Sequence, residues 1–132
     1  MKHILVIDDD ANIRLILERF LEKQGFSVDS AEDGSIGLEK IEEKLPDLVV
    51  TDIMMPNTDG LEVVLSIRNN HPDTPVIAIS GGIASASVDL LPVAKKMGSS
   101  KVKVLYKPVE LSSLLSNVHE LLGEPAANPG FN

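Results

Sequence analysis

The sequence predicts an α/β domain in which one doubly wound parallel sheet lies between two layers of helices. Three observations carry that expectation. Five short apolar runs recur along the chain: HILVID (3–8), FSVDSA (26–31), DLVVTD (47–52), TPVIAIS (74–80) and KVKVLY (101–106). Segments with apolar residues at helical spacing separate them. Strands that alternate with helices require crossover connections, and crossovers of one hand place helices on both faces of a parallel sheet.

Taken in order, HILVID is continuous and rich in Ile, Val and Leu, as a strand buried on both faces should be. ANIRLILERFLEKQG follows with Ile13, Ile16, Leu17, Phe20 and Leu21 at helical spacing and Gly25 as a C-terminal cap. FSVDSA alternates and is weaker, which suits a sheet edge. A second helix, SIGLEKIEEKL, offers Ile36, Leu38, Ile41 and Leu45 and meets Pro46. DLVVTD is the third strand, and GLEVVLSIRNN the third helix, entered through Asp59-Gly60. TPVIAIS is the fourth strand. Pro92 is tolerated in a first helical turn, which places a fourth helix near 89–97, ended by Gly98. KVKVLY is the fifth strand, and ELSSLLSNVHELLG the fifth helix. The expected domain spans 1–122, with a Pro-, Ala- and Asn-rich, loosely ordered tail over 123–132.

Composition narrows the function. The 132 residues fit one domain, and 43% of them are hydrophobic, but the aromatics are only three Phe and one Tyr. The core must therefore be aliphatic. A net charge of −8 argues against a nucleic-acid or anionic-membrane surface, both of which need clustered Lys and Arg. Without Cys there is no disulfide or thiol chemistry. The opening MKHILVIDDD has too short an apolar run for a signal peptide or a membrane span, so a soluble, cytoplasmic domain is expected.

In doubly wound sheets, ligands bind beyond the carboxyl ends of the strands. Here those ends carry Asp8-Asp9-Asp10, Asp52, Ser80 and Lys107. Turns are often polar, and Asp10 has an ordinary use as an N-cap of the first helix. Four strands delivering polar groups to one rim are harder to explain that way. Crowded carboxylates repel one another and raise one another's pKa unless a cation intervenes. A hard divalent ion such as Mg²⁺, which takes oxygen ligands, meets that need. With a carboxylate nucleophile, a lysine and a hydroxyl, the set would accept a phosphoryl group. No His, Arg or second Lys is expected at this rim.

The acids after ILVID, the D-I-M-M-P…D-G stretch at 52–60, A-I-S-G at 78–81 and Lys107-Pro108 together resemble the receiver domains of two-component response regulators. The likeness runs over about residues 2–122. It implies the flavodoxin-like strand order 2-1-3-4-5 with five helices, and Asp52 as the residue phosphorylated by a histidine kinase or phosphotransfer protein. It further implies Mg²⁺ held by Asp8, Asp9, Asp52 and the backbone carbonyl of Met54, with Ser80 as hydroxyl switch and Lys107 as charge partner. A cis peptide is implied before Pro108, where proline lowers the cost of that isomer. Output is expected through contacts with a downstream effector protein, by a monomer or weak dimer, since no output domain follows residue 122.

Several positions depart from the family pattern. Val104 stands where an aromatic is common, and Tyr106 would share its face. Met54 and Gly82 stand where side chains often tune hydrolysis, and neither holds water strongly, so no rapid self-dephosphorylation is expected. Two other readings remain open. VIDDDANI resembles the D-x-D of haloacid-dehalogenase-type phosphohydrolases, with Asp8 as nucleophile and Asp10 as acid/base, although that scheme leaves Asp52 idle. An interaction module that signals without phosphate is the other.

Overall fold

The structure is a computed structural model that describes residues 1–53, 60–81 and 101–123. It contains five strands, β1 (His3–Ile7), β2 (Ser27–Ala31), β3 (Leu48–Asp52), β4 (Val76–Ser80) and β5 (Val102–Tyr106). Among the described residues there are four helices, α1 (Ala11–Lys23), α2 (Gly34–Glu43), α3 (Gly60–Asn70) and α4 (Leu111–Leu122). All neighbouring strands pair in parallel, in the order β2-β1-β3-β4-β5. The helix expected near 89–97 and the tail from 124 onward lie outside the described residues.

The period-two alternation of side chains divides the core in two. Leu5, Ile7, Val49, Val76 and Ala78 point to one face and meet Ile41 of α2 and Val63, Val64 and Ile67 of α3. Ile4, Val6, Leu48, Val50, Ile77 and Ile79 point to the other and meet Leu17 and Leu21 of α1 and Leu114 and Val118 of α4. Covering both faces explains why β3 and β4 are buried along their whole length and read as unbroken apolar runs. Gly37 lets α2 lie close to β1, since a Cβ there would run into the side chain of Ile7.

Helix ends follow local chemistry. Asp10 caps α1 by accepting from the amides of Asn12 and Ile13, and Asp33 caps α2 through the amide of Ile36. Just past α1, Gly25 takes a φ of 97°, and Gly123 ends α4 at a φ of 74°. Two apolar positions depart from expectation. Leu45 is exposed because α2 stops at Glu43 and Lys44 is already extended, so helical spacing no longer reaches it. Ile16 is also exposed, because α1 rests on the sheet through the narrower stripe of Ile13, Leu17, Phe20 and Leu21. It lines an apolar groove shared with Pro108, Val109 and Leu111.

β2 is an edge strand, as its weaker pattern suggested, and its open side is partly closed by its own side chains. Ser27 donates to Lys2 and Ala31 accepts from Asp8, so the odd-numbered residues of β2 bond inward and Ser30 faces outward. Asp29 Oδ1 accepts from the Ser30 amide at 2.8 Å and from Lys40 Nζ at 3.1 Å. Lys40 Nζ also donates to the Ser30 carbonyl at 2.6 Å. One ion pair thereby occupies both outward backbone groups of Ser30, which a foreign strand would otherwise use. Amide exchange at Ser30, followed by NMR, should become faster in Asp29→Ala. Urea denaturation should show a cost of no more than about 1 kcal/mol, the usual ceiling for an exposed pair. Unchanged exchange at Ser30 would contradict the assignment.

Candidate functional site: an acidic pocket at the β1–β3 switch point

The chain leaves β1 toward β2 on one side and leaves β3 toward β4 on the other. The crevice between the carboxyl ends of β1 and β3 is therefore the topological switch point. Ile7 is in register with Thr51, which places Asp8 beside Asp52. One carboxylate oxygen each from Asp8, Asp9 and Asp52 lie within 4.8 Å of one another. Asp8 and Asp52 are buried, at 1% and 2% exposure, whereas Asp9 is exposed. Three of the expected site residues thus come together, and the pocket is open on the Asp9 side.

The first turn of α1 holds Asp8 in place. The Asp10 amide donates to Asp8 Oδ1 at 2.9 Å, while the Asp10 carboxylate caps the helix. Asp8 Oδ2 is buried and has no hydrogen-bond partner among the described residues. Arg14, one turn along, donates from Nη1 to the Asp8 carbonyl at 2.7 Å. The expectation that no arginine reaches this rim is thereby corrected: Arg14 comes in from the helix, not from a strand end, and binds backbone instead of a carboxylate. Asp10, with its carboxylate committed to helix amides and outside the acidic cluster, gives no support to an Asp8/Asp10 hydrolase pair.

On the β3 side, Thr51 Oγ1 donates to the Asp52 carbonyl at 3.0 Å, and the Gly60 amide donates to the Ile53 carbonyl at 3.1 Å. A Cβ at Gly60 would collide with the Asp52 carbonyl and crowd the Ile53 Cα, so α3 can begin this close to the acid only with glycine. In the sequence the Asp-Gly pair marks Gly60 only as a helix entry, and the close approach behind it is tertiary. Met54, whose carbonyl was expected to face a metal, lies outside the described residues.

Ser80 ends β4 and is buried, and Lys107 follows β5. The Lys107 amide donates to the Ser80 carbonyl at 2.8 Å, so hydroxyl and ammonium are carried on adjoining strand ends. Lys107 Nζ reaches across to Asp52 Oδ2 at 3.2 Å. The Lys107-Pro108 peptide is cis, as expected. Val104 packs into the core on the α2–α3 side, whereas Tyr106, in register with Ser80, is 54% exposed.

Electrostatics reflect the crowding. Burial pushes the Asp8 carboxyl from an ordinary 3.8 up to about 6; the Asp10 amide and Lys107 oppose the rise, while Asp52 and Asp9 add to it. At Lys107, burial disfavours the charge, but Asp52, by its charge and hydrogen bond, and then Asp8 and Asp9 outweigh it and raise the pKa. A divalent cation fits this donor set: three carboxylates converge, and one buried oxygen of Asp8 is left for a ligand. Between pH 3.8 and about 6 the folded chain retains a proton on Asp8 that the unfolded chain has released. Stability must then fall as pH rises through that window, by on the order of 3 kcal/mol for this group. Urea denaturation in EDTA should show that decline in the wild type and its absence in Asp8→Asn.

Comparisons with known proteins agree with the geometry. The sequence profile of the family described as "Response regulator receiver domain" matches residues 4–119. "Response regulator MprA" of Mycobacterium sp. (strain KMS) is 37% identical over 127 residues, 96% of this chain and 53% of that protein. "Transcriptional regulatory protein PrrA" of Mycobacterium tuberculosis is 39% identical over 119 residues, 90% of this chain and 49% of that protein. The chain therefore spans about half the length of the curated relatives it matches. Among solved structures, the response regulator TrrA of Thermotoga maritima, in complex with Mg²⁺ and beryllofluoride, superposes with a TM-score of 0.78 at 32% identity. That alignment covers 92% of this chain and 99% of TrrA. On this evidence of profile, sequence and fold, the chain belongs to the response regulator receiver domain family and is a receiver of two-component signal transduction.

Proposed function

We propose that Asp52 is the phospho-acceptor of this receiver, supplied by a histidine kinase or histidine phosphotransfer protein and supported by Mg²⁺. The carrying observation is the convergence of Asp8, Asp9 and Asp52 within 4.8 Å, with Lys107 on Asp52 at 3.2 Å. An Asp52 oxygen attacks phosphorus, the P–N bond of the donor phosphohistidine breaks, and the imidazole leaves and takes up a proton. Bound Mg²⁺ would supply positive charge to offset that of the carboxylates and the incoming phosphoryl group. Asp8, Asp9, Asp52 and the Met54 carbonyl would hold it.

Lys107 already lies against the acceptor oxygen, and its ammonium can transfer that pairing to the phosphoryl group as negative charge grows there. Ser80 supplies a hydroxyl one residue beyond Ile79, which is in register with Asp52. Replacing a carboxylate with a group of roughly two negative charges and three acceptor oxygens biases the hydroxyl and lysine toward a second arrangement. A downstream effector protein that distinguishes the two arrangements completes the switch. The domain acts as an acceptor, not as a turnover enzyme.

Incubation with acetyl phosphate and Mg²⁺ should add one phosphoryl group, detected by intact mass, and none to Asp52→Asn. Lys107→Ala should reduce the yield by at least about tenfold, a common cost of removing a charge that stabilises a transition state. With Met54 and Gly82 at the sequence positions where the family's side chains often tune hydrolysis, the phosphoryl group should persist for minutes or longer. Decay within seconds would overturn that part, and stable label on a residue other than Asp52 would overturn the whole assignment.

A further inference from the structure

We infer that Arg14 is a positioning residue for the metal-binding carboxylate of Asp8, acting through the main chain from the first turn of α1. The inference rests on the reading of Asp8 as a Mg²⁺ ligand and adds a residue that reading does not contain. β1 ends at Ile7, and the Asp8 amide still joins the ladder by donating to Ala31. Beyond that point the sheet no longer dictates the path of the chain. The Asp8 carbonyl is instead taken by Arg14 Nη1 at 2.7 Å, a short, charge-assisted contact.

The first turn of α1 closes this contact into a ring. The Arg14 amide donates to the Asp10 carbonyl, the Asp10 amide donates to Asp8 Oδ1, and the Arg14 guanidinium donates to the Asp8 carbonyl. Backbone and side chain of Asp8 are thus both tied to one helical turn, and Oδ2 remains without a partner among the described residues. Two anchors on one residue restrict rotation of the carboxylate more than either would alone. The arrangement matches the outer shell of a metal site, where groups that bind no metal orient the ligands.

Arg14 binds the Asp8 carbonyl and not its carboxylate. The largest influences on the Asp8 carboxyl are burial, the Asp10 amide, Asp52, Lys107 and Asp9. A residue that keeps a long cationic donor should therefore preserve the effect, and one that removes the donor should lose it. Removing it also leaves a buried carbonyl unsatisfied, which favours rearrangement of the β1–α1 connection.

Calorimetric titration of Mg²⁺ into the full chain tests this, with melting in EDTA as the control for folding. Arg14→Ala should bind Mg²⁺ on the order of tenfold more weakly than wild type while its EDTA melt remains cooperative. Arg14→Lys should recover most of the affinity. If Arg14→Ala loses its cooperative melt, Arg14→Met, which keeps the length of the side chain and has no donor, carries the same comparison. Affinity of the folded donor-deleted variant within about twofold of wild type overturns the positioning role, since outer-shell losses are larger than that. Wild-type uptake that Asp9→Ala does not reduce overturns the metal reading itself, and the role of Arg14 with it.

Discussion

Electrostatic repulsion among carboxylates at the meeting point of β1 and β3 is the constraint around which this domain is organised. Two of them are buried almost completely, in a setting where like charges interact strongly and water screens them poorly. The fold does not relieve the repulsion by separating them, because parallel register forces Asp8 and Asp52 side by side. It accepts the cost and places counter-charge around it. Lys107 comes from the far edge of the sheet, the Asp10 amide donates to Asp8, and one Asp8 oxygen is without a partner among the described residues. The pocket is most at ease when something positive or charge-neutralising occupies it. A receiver of phosphoryl groups needs that property.

Rigid surroundings make the strained centre sustainable. β1, β3 and β4 are enclosed by aliphatic residues on both faces, and two separate cores pin them from opposite sides. Asp52 therefore stands at the tip of a strand that is buried along its whole length. Lys107 and Asp9 are more exposed and reach the centre from its margin. The gradient runs from a fixed acceptor to adjustable partners, and a covalent change at the acceptor is read by groups that have room to respond.

Much of this was legible in the sequence because strand ends and sheet periodicity are local signals. Asp8, Asp9, Asp52, Ser80 and Lys107 could be grouped from five apolar runs and one rule about where ligands bind. Asp10 was correctly recognisable as a cap. Arg14 was not recognisable, because its position in a helical stripe says nothing about a guanidinium folding back onto a carbonyl six residues earlier. The demand on Gly60 was equally hidden: the absent Cβ matters only because α3 begins against the end of β3. Ile16 and Leu45 were misplaced for a related reason. Spacing gives the phase of a helix, but neither the width of its buried stripe nor the residue at which capping ends it.

The Asp29–Lys40 pair has a consequence for how copies of this chain can join. A sheet that can extend at both margins can build an endless ribbon, each molecule adding to the last. Covering the outward groups of Ser30 removes one rung on which such growth could start, so a small ion pair makes the β2 margin a poorer template for a further strand.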